Sequence, residues 1–258
     1  MYLFSVVYVY QYFQFSGKIL IVGGLSRPDR NPPMEIIELI DKESKPIIVK
    51  DENGSRIAAT GGILQNQLLI CGGCDFDNHK YCKNTSKNVS TIAMPKCFEM
   101  KMPRRNMSSV VLSDSKIWVT GGVNDIAISP GTMSTEIISL DQPPVPGPDL
   151  PFFVGDHSME IVDPKTIYLI GGMQNGQTSN KTWIIDPTNN FQIKVGPSLN
   201  MARDVHSCSK MKIEGRIFLV VAGGQDDSGP LDSVELLDIT YPDQGWKFGI
   251  KYRPNTCS

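Results

Sequence analysis

Sustained helical periodicity is missing from this chain. No stretch of its 258 residues repeats apolar side chains every 3.6 positions, so no long amphipathic helix is expected. No run of 18 or more apolar residues occurs, which leaves no candidate transmembrane helix. A dominant charge is missing too. Twenty-five Lys and Arg against 27 Asp and Glu give a formal net charge of −2, so there is no global basic field to attract nucleic acid or an anionic membrane. No G-x-S-x-G nucleophile turn accompanies its serines and three histidines.

What the chain does have is glycine, proline and a repeat. The 23 glycines and 18 prolines suit many short strands and tight turns. Five apolar runs each end in a glycine pair: Ile19–Val22 before Gly23-Gly24, Leu68–Cys71 before Gly72-Gly73, Ile117–Thr120 before Gly121-Gly122, Ile167–Ile170 before Gly171-Gly172, and Phe218–Ala222 before Gly223-Gly224. The second glycines stand at 24, 73, 122, 172 and 224, so the period is 49 to 52 residues. A strand-plus-Gly-Gly unit at that period is the signature of a β-propeller. The continuous apolar runs read as strands buried on both faces. Because the pairs end strands and open no helix, they are not phosphate-binding loops; they permit a bulge and close backbone approach.

Residues 1–17 stand apart from 18–258. Met1 to Phe15 is apolar, aromatic and uncharged. It reads either as a leader, though without a basic n-region, or as a strand that helps close the ring. Six cysteines, an even number, permit disulfides. Cys82 and Cys97 would close a loop within one repeat. Asn53, Asn84, Asn88, Asn106 and Asn180 head glycosylation sequons, two of them in the polar stretch Lys83–Ser90, which reads as an exposed loop. Together these features lean towards an extracellular chain, with the cytoplasm as the alternative. Cys71, Cys74, His79 and Cys82 approach zinc-knuckle spacing. Cys71, however, occupies the strand end held elsewhere by Val22, Thr120, Ile170 and Ala222, so no metal is expected there. His157 and His206 each precede a serine, with Asp156 and Asp204 nearby; their recurrence in successive repeats marks them as architectural.

The five Gly-Gly strands, the arginine-bearing stretches Met102-Pro103-Arg104-Arg105 and Met201-Ala202-Arg203, and third strands such as Glu235-Leu236-Leu237-Asp238 resemble the kelch-repeat family over about residues 18 to 250. The finer details resemble stand-alone, invertebrate-type kelch proteins. The resemblance implies an all-β, kelch-type β-propeller with five recognisable four-stranded blades, either a small ring or an incomplete one. It implies a non-enzymatic scaffold that binds a protein, or a glycan, through one loop face, with no cofactor. Two other roles belong to such folds. One is the substrate-recognition half of a ubiquitin ligase receptor, here without its adaptor domain. The other is a copper-oxidase-like extracellular enzyme, whose His and Tyr ligand set the three histidines do not match. In kelch propellers the loops between second and third strands gather on one face. Here those loops carry Arg27, Asp29, Arg30, Asp75, Asp77, Asn124, Asp125, Gln174, Asn175, Gln177, Gln225, Asp226 and Asp227. That set is acidic and amide-rich apart from one arginine pair, and suits a basic or polar partner.

Overall fold

The apolar runs that end in glycine pairs are strands, and each lies inside an antiparallel sheet. A computed structural model describes residues 11–15, 18–22, 34–38, 47–49, 58–65, 67–73, 85–88, 100–123 and 131–249. Among the described residues there is no α-helix, and a single 3₁₀ turn spans Pro242–Gln244. The architecture is all-β and propeller-like. The chain divides into two compact units, Met1–Val119 with Val123–Ala127 and Glu136–Gly147, and Thr120–Gly122 with Ile128–Thr135 and Pro148–Ser258.

In the first unit, β1 (Gln11–Phe15), β2 (Lys18–Val22), β3 (Met34–Glu38) and β4 (Ile47–Val49) form a sheet in that order. Of the segment read as leader or strand, Gln11–Phe15 is a strand, paired from Gln11 opposite Val22 to Phe15 opposite Lys18; Met1–Tyr10 lies outside the described residues. The second sheet is β5 (Thr60–Leu64), β6 (Gln67–Cys71) and β7 (Thr85–Asn88). It has three described strands where four were expected. Its third strand lies in the polar stretch read as a loop: Ser86 pairs with Leu69, and polarity alone did not reveal that register. The third sheet runs β11-β10-β9-β8, from β8 (Ser108–Ser113), β9 (Lys116–Thr120), β10 (Thr135–Ser139) and β11 (Val145–Pro146). Leu64, Leu69, Cys71, Met107, Ile117, Val119 and Ile138 make the core of this unit, with Val111 and Leu140 packed on it. Gly62 is small for a reason: a Cβ there would stand 2.6 Å from Val111 Cγ2.

The second unit adds β12 (Val154–Gly155), β13 (Ser158–Asp163), β14 (Thr166–Ile170), β15 (Met173–Gln174), β16 (Gln177–Thr178), β17 (Thr182–Asp186) and β18 (Gln192–Val195). After these come β19 (Ser207–Ile213), β20 (Arg216–Ala222), β21 (Gln225–Asp226), β22 (Gly229–Pro230), β23 (Val234–Asp238) and β24 (Lys247–Phe248). Two four-stranded sheets result, β13-β14-β17-β18 and β19-β20-β23-β24. Tyr168, Ile170, Leu199, Leu219, Val221, Leu237 and Trp246 form the core between them. β14 is buried on both faces, as its apolar run requires. β20 departs from that expectation: Leu219 and Val221 are buried, while Phe218, Val220 and Ala222 on its other face are half-exposed.

Three of the four described glycine pairs turn a corner that clasps the segment leaving their own sheet. Both glycines of each described pair have positive φ, from +57° to +88°, where a side chain is strained. The second N–H then donates to a carbonyl of that segment: Gly73 to Arg104 at 3.0 Å, Gly122 to Val154 at 2.9 Å, Gly172 to Arg203 at 2.8 Å. A Cβ on Gly72, Gly121 or Gly171 would lie 2.5–2.6 Å from the same carbonyl, so the close approach itself excludes any other residue.

A buried ion pair anchors two of the sheets. Arg104 Nη2 donates to Glu136 Oε1 at 3.0 Å, and Arg203 Nη2 to Glu235 Oε1 at 2.9 Å, all four side chains being enclosed. Glu136 also accepts the N–H groups of Lys101 and Met102, and Glu235 those of Asn200 and Met201. These bonds satisfy carboxylates that burial would otherwise leave without water. The β17 sheet is built differently. Trp183 stands where the glutamates stand, Val154 where the arginines stand, and Phe152 stacks on Trp183 with ring centroids 4.6 Å apart. Pro151, which has no N–H to satisfy, falls at the position of Lys101 and Asn200.

Candidate functional site

Two short hairpins in the second unit build the candidate site. β15 and β16 are joined by Asn175 and Gly176, both at positive φ, as a tight two-residue hairpin demands. Asn175 Oδ1 accepts the Phe153 N–H at 3.1 Å, and the Asn175 N–H donates to the Phe153 carbonyl at 3.0 Å, which fixes the hairpin tip. β21 and β22 turn through Asp227 and Ser228, where Asp226 Oδ1 accepts the Ser228 N–H at 2.8 Å. The second hairpin is bridged to Asp204 by a pair of backbone hydrogen bonds with Gln225, of 2.9 and 3.0 Å.

The hairpins bring three carboxylates together. Thr178 Oγ1 donates to Asp204 Oδ2 at 3.0 Å and lies 3.4 Å from Asp227 Oδ1. Asp204 is buried, Asp226 half-buried and Asp227 exposed, so the cluster opens outwards at the β21–β22 turn. Burial raises the Asp204 pKa above the usual carboxylate range; the bonds from Thr178 and Gln225 oppose that shift, and the charges of Asp227 and Asp226 reinforce it. A face of this kind attracts donors and cations.

Of the residues singled out in the sequence, Gln177, Gln225, Asp226 and Asp227 lie at or beside this cluster, and Asn175 holds the neighbouring tip. Gln174 does not belong to the open face. It is buried, donates to the Gly171 carbonyl at 2.8 Å and accepts Trp183 Nε1–H at 3.1 Å, so it ties the hairpin to β17. Arg27, Asp29, Arg30, Asp75, Asp77, Asn124 and Asp125 lie outside the described residues. Asp204 and Thr178 were not singled out for this face. Asp204 belongs to the segment leading into β19 and Thr178 to β16, and no local pattern marks that they meet.

The other candidates are also placed. Asn106 is half-buried at φ 57° and donates its N–H to the Ala58 carbonyl. Asn180 is exposed, but its Nδ2 donates to the Leu199 carbonyl at 3.1 Å. Asn88 ends β7, and Asn53 and Asn84 lie outside the described residues, as do Cys74, His79, Cys82 and Cys97. Cys71 is part of the first unit's core, and Cys208 is a half-buried thiol whose pKa burial and nearby Glu160 push upwards. His157 Nε2 shares a hydrogen bond of 2.8 Å with Thr120 Oγ1, and His206 Nε2 one of 2.8 Å with Ser158 Oγ. Desolvation lowers both histidines to about 3, with Arg203 and His157 adding to the effect on His206. Both rings are therefore neutral and enclosed, and tie neighbouring strands together. Among the described residues, no group of three or more His, Cys, Asp or Glu is arranged to hold a metal ion, and no helix is long and apolar enough to cross a membrane.

No family model and no curated protein matches the chain. Its fold is similar to the solved structure of YjhT, with a TM-score of 0.77 over 95% of this chain and 84% of that one, at 14% sequence identity. An identity that low speaks for the fold alone.

Proposed function

We propose that the chain is a non-enzymatic kelch-type propeller that binds a protein through the loop face of its second unit, and that its partner presents a cationic segment. The observation that carries this reading is the outward-opening cluster of Asp204, Asp226 and Asp227 around Thr178. The hairpins are held by backbone bonds and by the buried Gln174, so the face is ordered before a partner arrives and less entropy is lost on association. Attraction between exposed charges of opposite sign weakens with salt, which gives the binding a signature. The test uses a decapeptide of alternating Arg and Ser against the whole chain. Asp226→Asn combined with Asp227→Asn should weaken binding about tenfold or more and flatten its salt dependence, while leaving the unfolding transition in place. Unchanged affinity in that variant would overturn the reading. The reading extends to an extracellular, glycosylated chain with a Cys82–Cys97 bridge. Intact mass from a secretory host, before and after deglycosylation and thiol alkylation, tests this; six alkylatable thiols and no glycan would refute it.

A further inference from the structure

One buried hydroxyl stands without a partner. Thr182 opens β17 and is fully enclosed, and its Oγ1 meets no hydrogen-bond partner among the described residues. The same position in the neighbouring repeats shows what the fold requires there. In β10 it is Thr135, whose Oγ1 donates to the Pro148 carbonyl at 2.8 Å. In β23 it is Val234, which has no hydroxyl. The backbone fixes the match: the Gly249 N–H donates to the Val234 carbonyl as the Gly196 N–H donates to that of Thr182, both at 2.8 Å. The carbonyl equivalent to that of Pro148 belongs here to Pro197, and it accepts Trp246 Nε1–H at 2.9 Å. An enclosed hydroxyl left unbonded destabilises a fold. A valine would fill the position as Val234 does, so packing does not account for the threonine.

What does account for it lies two residues back. Asn180-Lys181-Thr182 is an acceptor sequence for N-linked glycosylation, whose third residue must carry a hydroxyl. That requirement is met on the unfolded chain, before the threonine is enclosed. Asn180 and Lys181 stay exposed in the fold. Asn180 Nδ2 donates one hydrogen to the Leu199 carbonyl at 3.1 Å; an amide carries two, so a sugar can replace the other and leave that bond intact. The backbone holds the site in place: the Asn180 carbonyl accepts the Leu199 N–H at 2.8 Å, and the Lys181 N–H donates to Ser179 Oγ at 3.1 Å. Asn106, the head of another sequon, is by contrast half-buried, with φ 57°.

We propose that Asn180 carries an N-linked glycan, and that the Thr182 hydroxyl serves its attachment and not the fold. The proposal rests on the extracellular reading given under the proposed function. In the transfer, Asn180 Nδ2 bonds to C1 of the first sugar of a lipid-pyrophosphate-linked oligosaccharide. The C1–O bond breaks, the lipid pyrophosphate leaves with the electron pair, and one amide proton passes to a base of the transferase. No oxidant or reductant is required. Asn180 lies two residues beyond Thr178, so the glycan stands at the edge of the acidic face.

Two measurements on the full chain and its Thr182→Val variant test this. From a secretory host, peptide mapping by mass should find glycan on Asn180 of the unmutated chain, and the variant should lose that glycan alone. From a bacterial host, where neither chain is glycosylated, the variant should unfold about 2–4 °C higher. An unchanged or lower unfolding temperature would show that the fold uses the hydroxyl, and would overturn the proposal whatever the compartment. A bare Asn180 in a chain glycosylated elsewhere would overturn it and leave the extracellular reading standing. A chain bearing no glycan at all would overturn both.

Discussion

The Arg203–Glu235 sheet and the Trp183 sheet adjoin in sequence and pack on one core, yet they solve the same problem in opposite ways. In the first, a buried carboxylate collects a guanidinium and two backbone N–H groups. In the second, a tryptophan occupies the carboxylate's position and the residues around it have changed with it: valine for arginine, a stacking phenylalanine, and a proline where an N–H would have lost its acceptor. The difference teaches that the position demands a satisfied environment and not a charge. It also shows that the substitution is cooperative, since no single one of these residues would be at home in the other sheet.

The largest expected effect comes from breaking the charged version. Glu235→Ala leaves the Arg203 guanidinium and the N–H groups of Asn200 and Met201 buried without their acceptor, and should lower stability by about 3–5 kcal/mol in urea denaturation. Transplanting the apolar version sharpens the comparison. Asn200→Pro, Met201→Phe, Arg203→Val and Glu235→Trp together should recover all but about 1–2 kcal/mol. A quadruple variant as unstable as Glu235→Ala would mean that the surroundings, and not these positions, sustain the apolar solution.

Acid comes next and separates the two units. His157 and His206 are held near 3 in the fold against an ordinary value of 6.5, so their contribution is complete above about pH 6.5 and is lost as pH falls towards 3. Each should remove about 1.4 kcal/mol per pH unit in that window. Asp204 and Glu160, whose pKa values burial raises, favour the fold as pH falls and offset part of the loss. The corresponding position in the first unit is Met107, which does not titrate. Hydrogen exchange between pH 7 and 5 should therefore loosen the second unit first, and His206→Gln should reduce the slope of stability against pH. An identical slope in that variant would exclude His206 as a source.

The smallest effect concerns the stack alone. Trp183→Phe keeps a ring against Phe152 but loses the bond to Gln174 Oε1, and should lower stability by about 1 kcal/mol. A larger loss in thermal or urea unfolding would assign the tryptophan more than that one bond.

Much of this was legible in the chain itself. An apolar run closed by two glycines specifies a strand and a left-handed corner, because both depend on a few adjacent residues and on the steric freedom of glycine. The repeat spacing, the all-β class and the acidic character of the β21–β22 turn followed from the same local information. What only the tertiary structure decided are the meetings at a distance. Glu235 finds Arg203 across 32 residues, Thr178 joins Asp204 to Asp227, and Ser86 finds Leu69 from a stretch whose polarity suggested a loop. The Phe218-Leu219-Val220-Val221 run promises burial on both faces, and the described structure covers one. Hydrophobicity states that a face should be covered; which segment covers it depends on register and path, and those are properties of the assembled sheets.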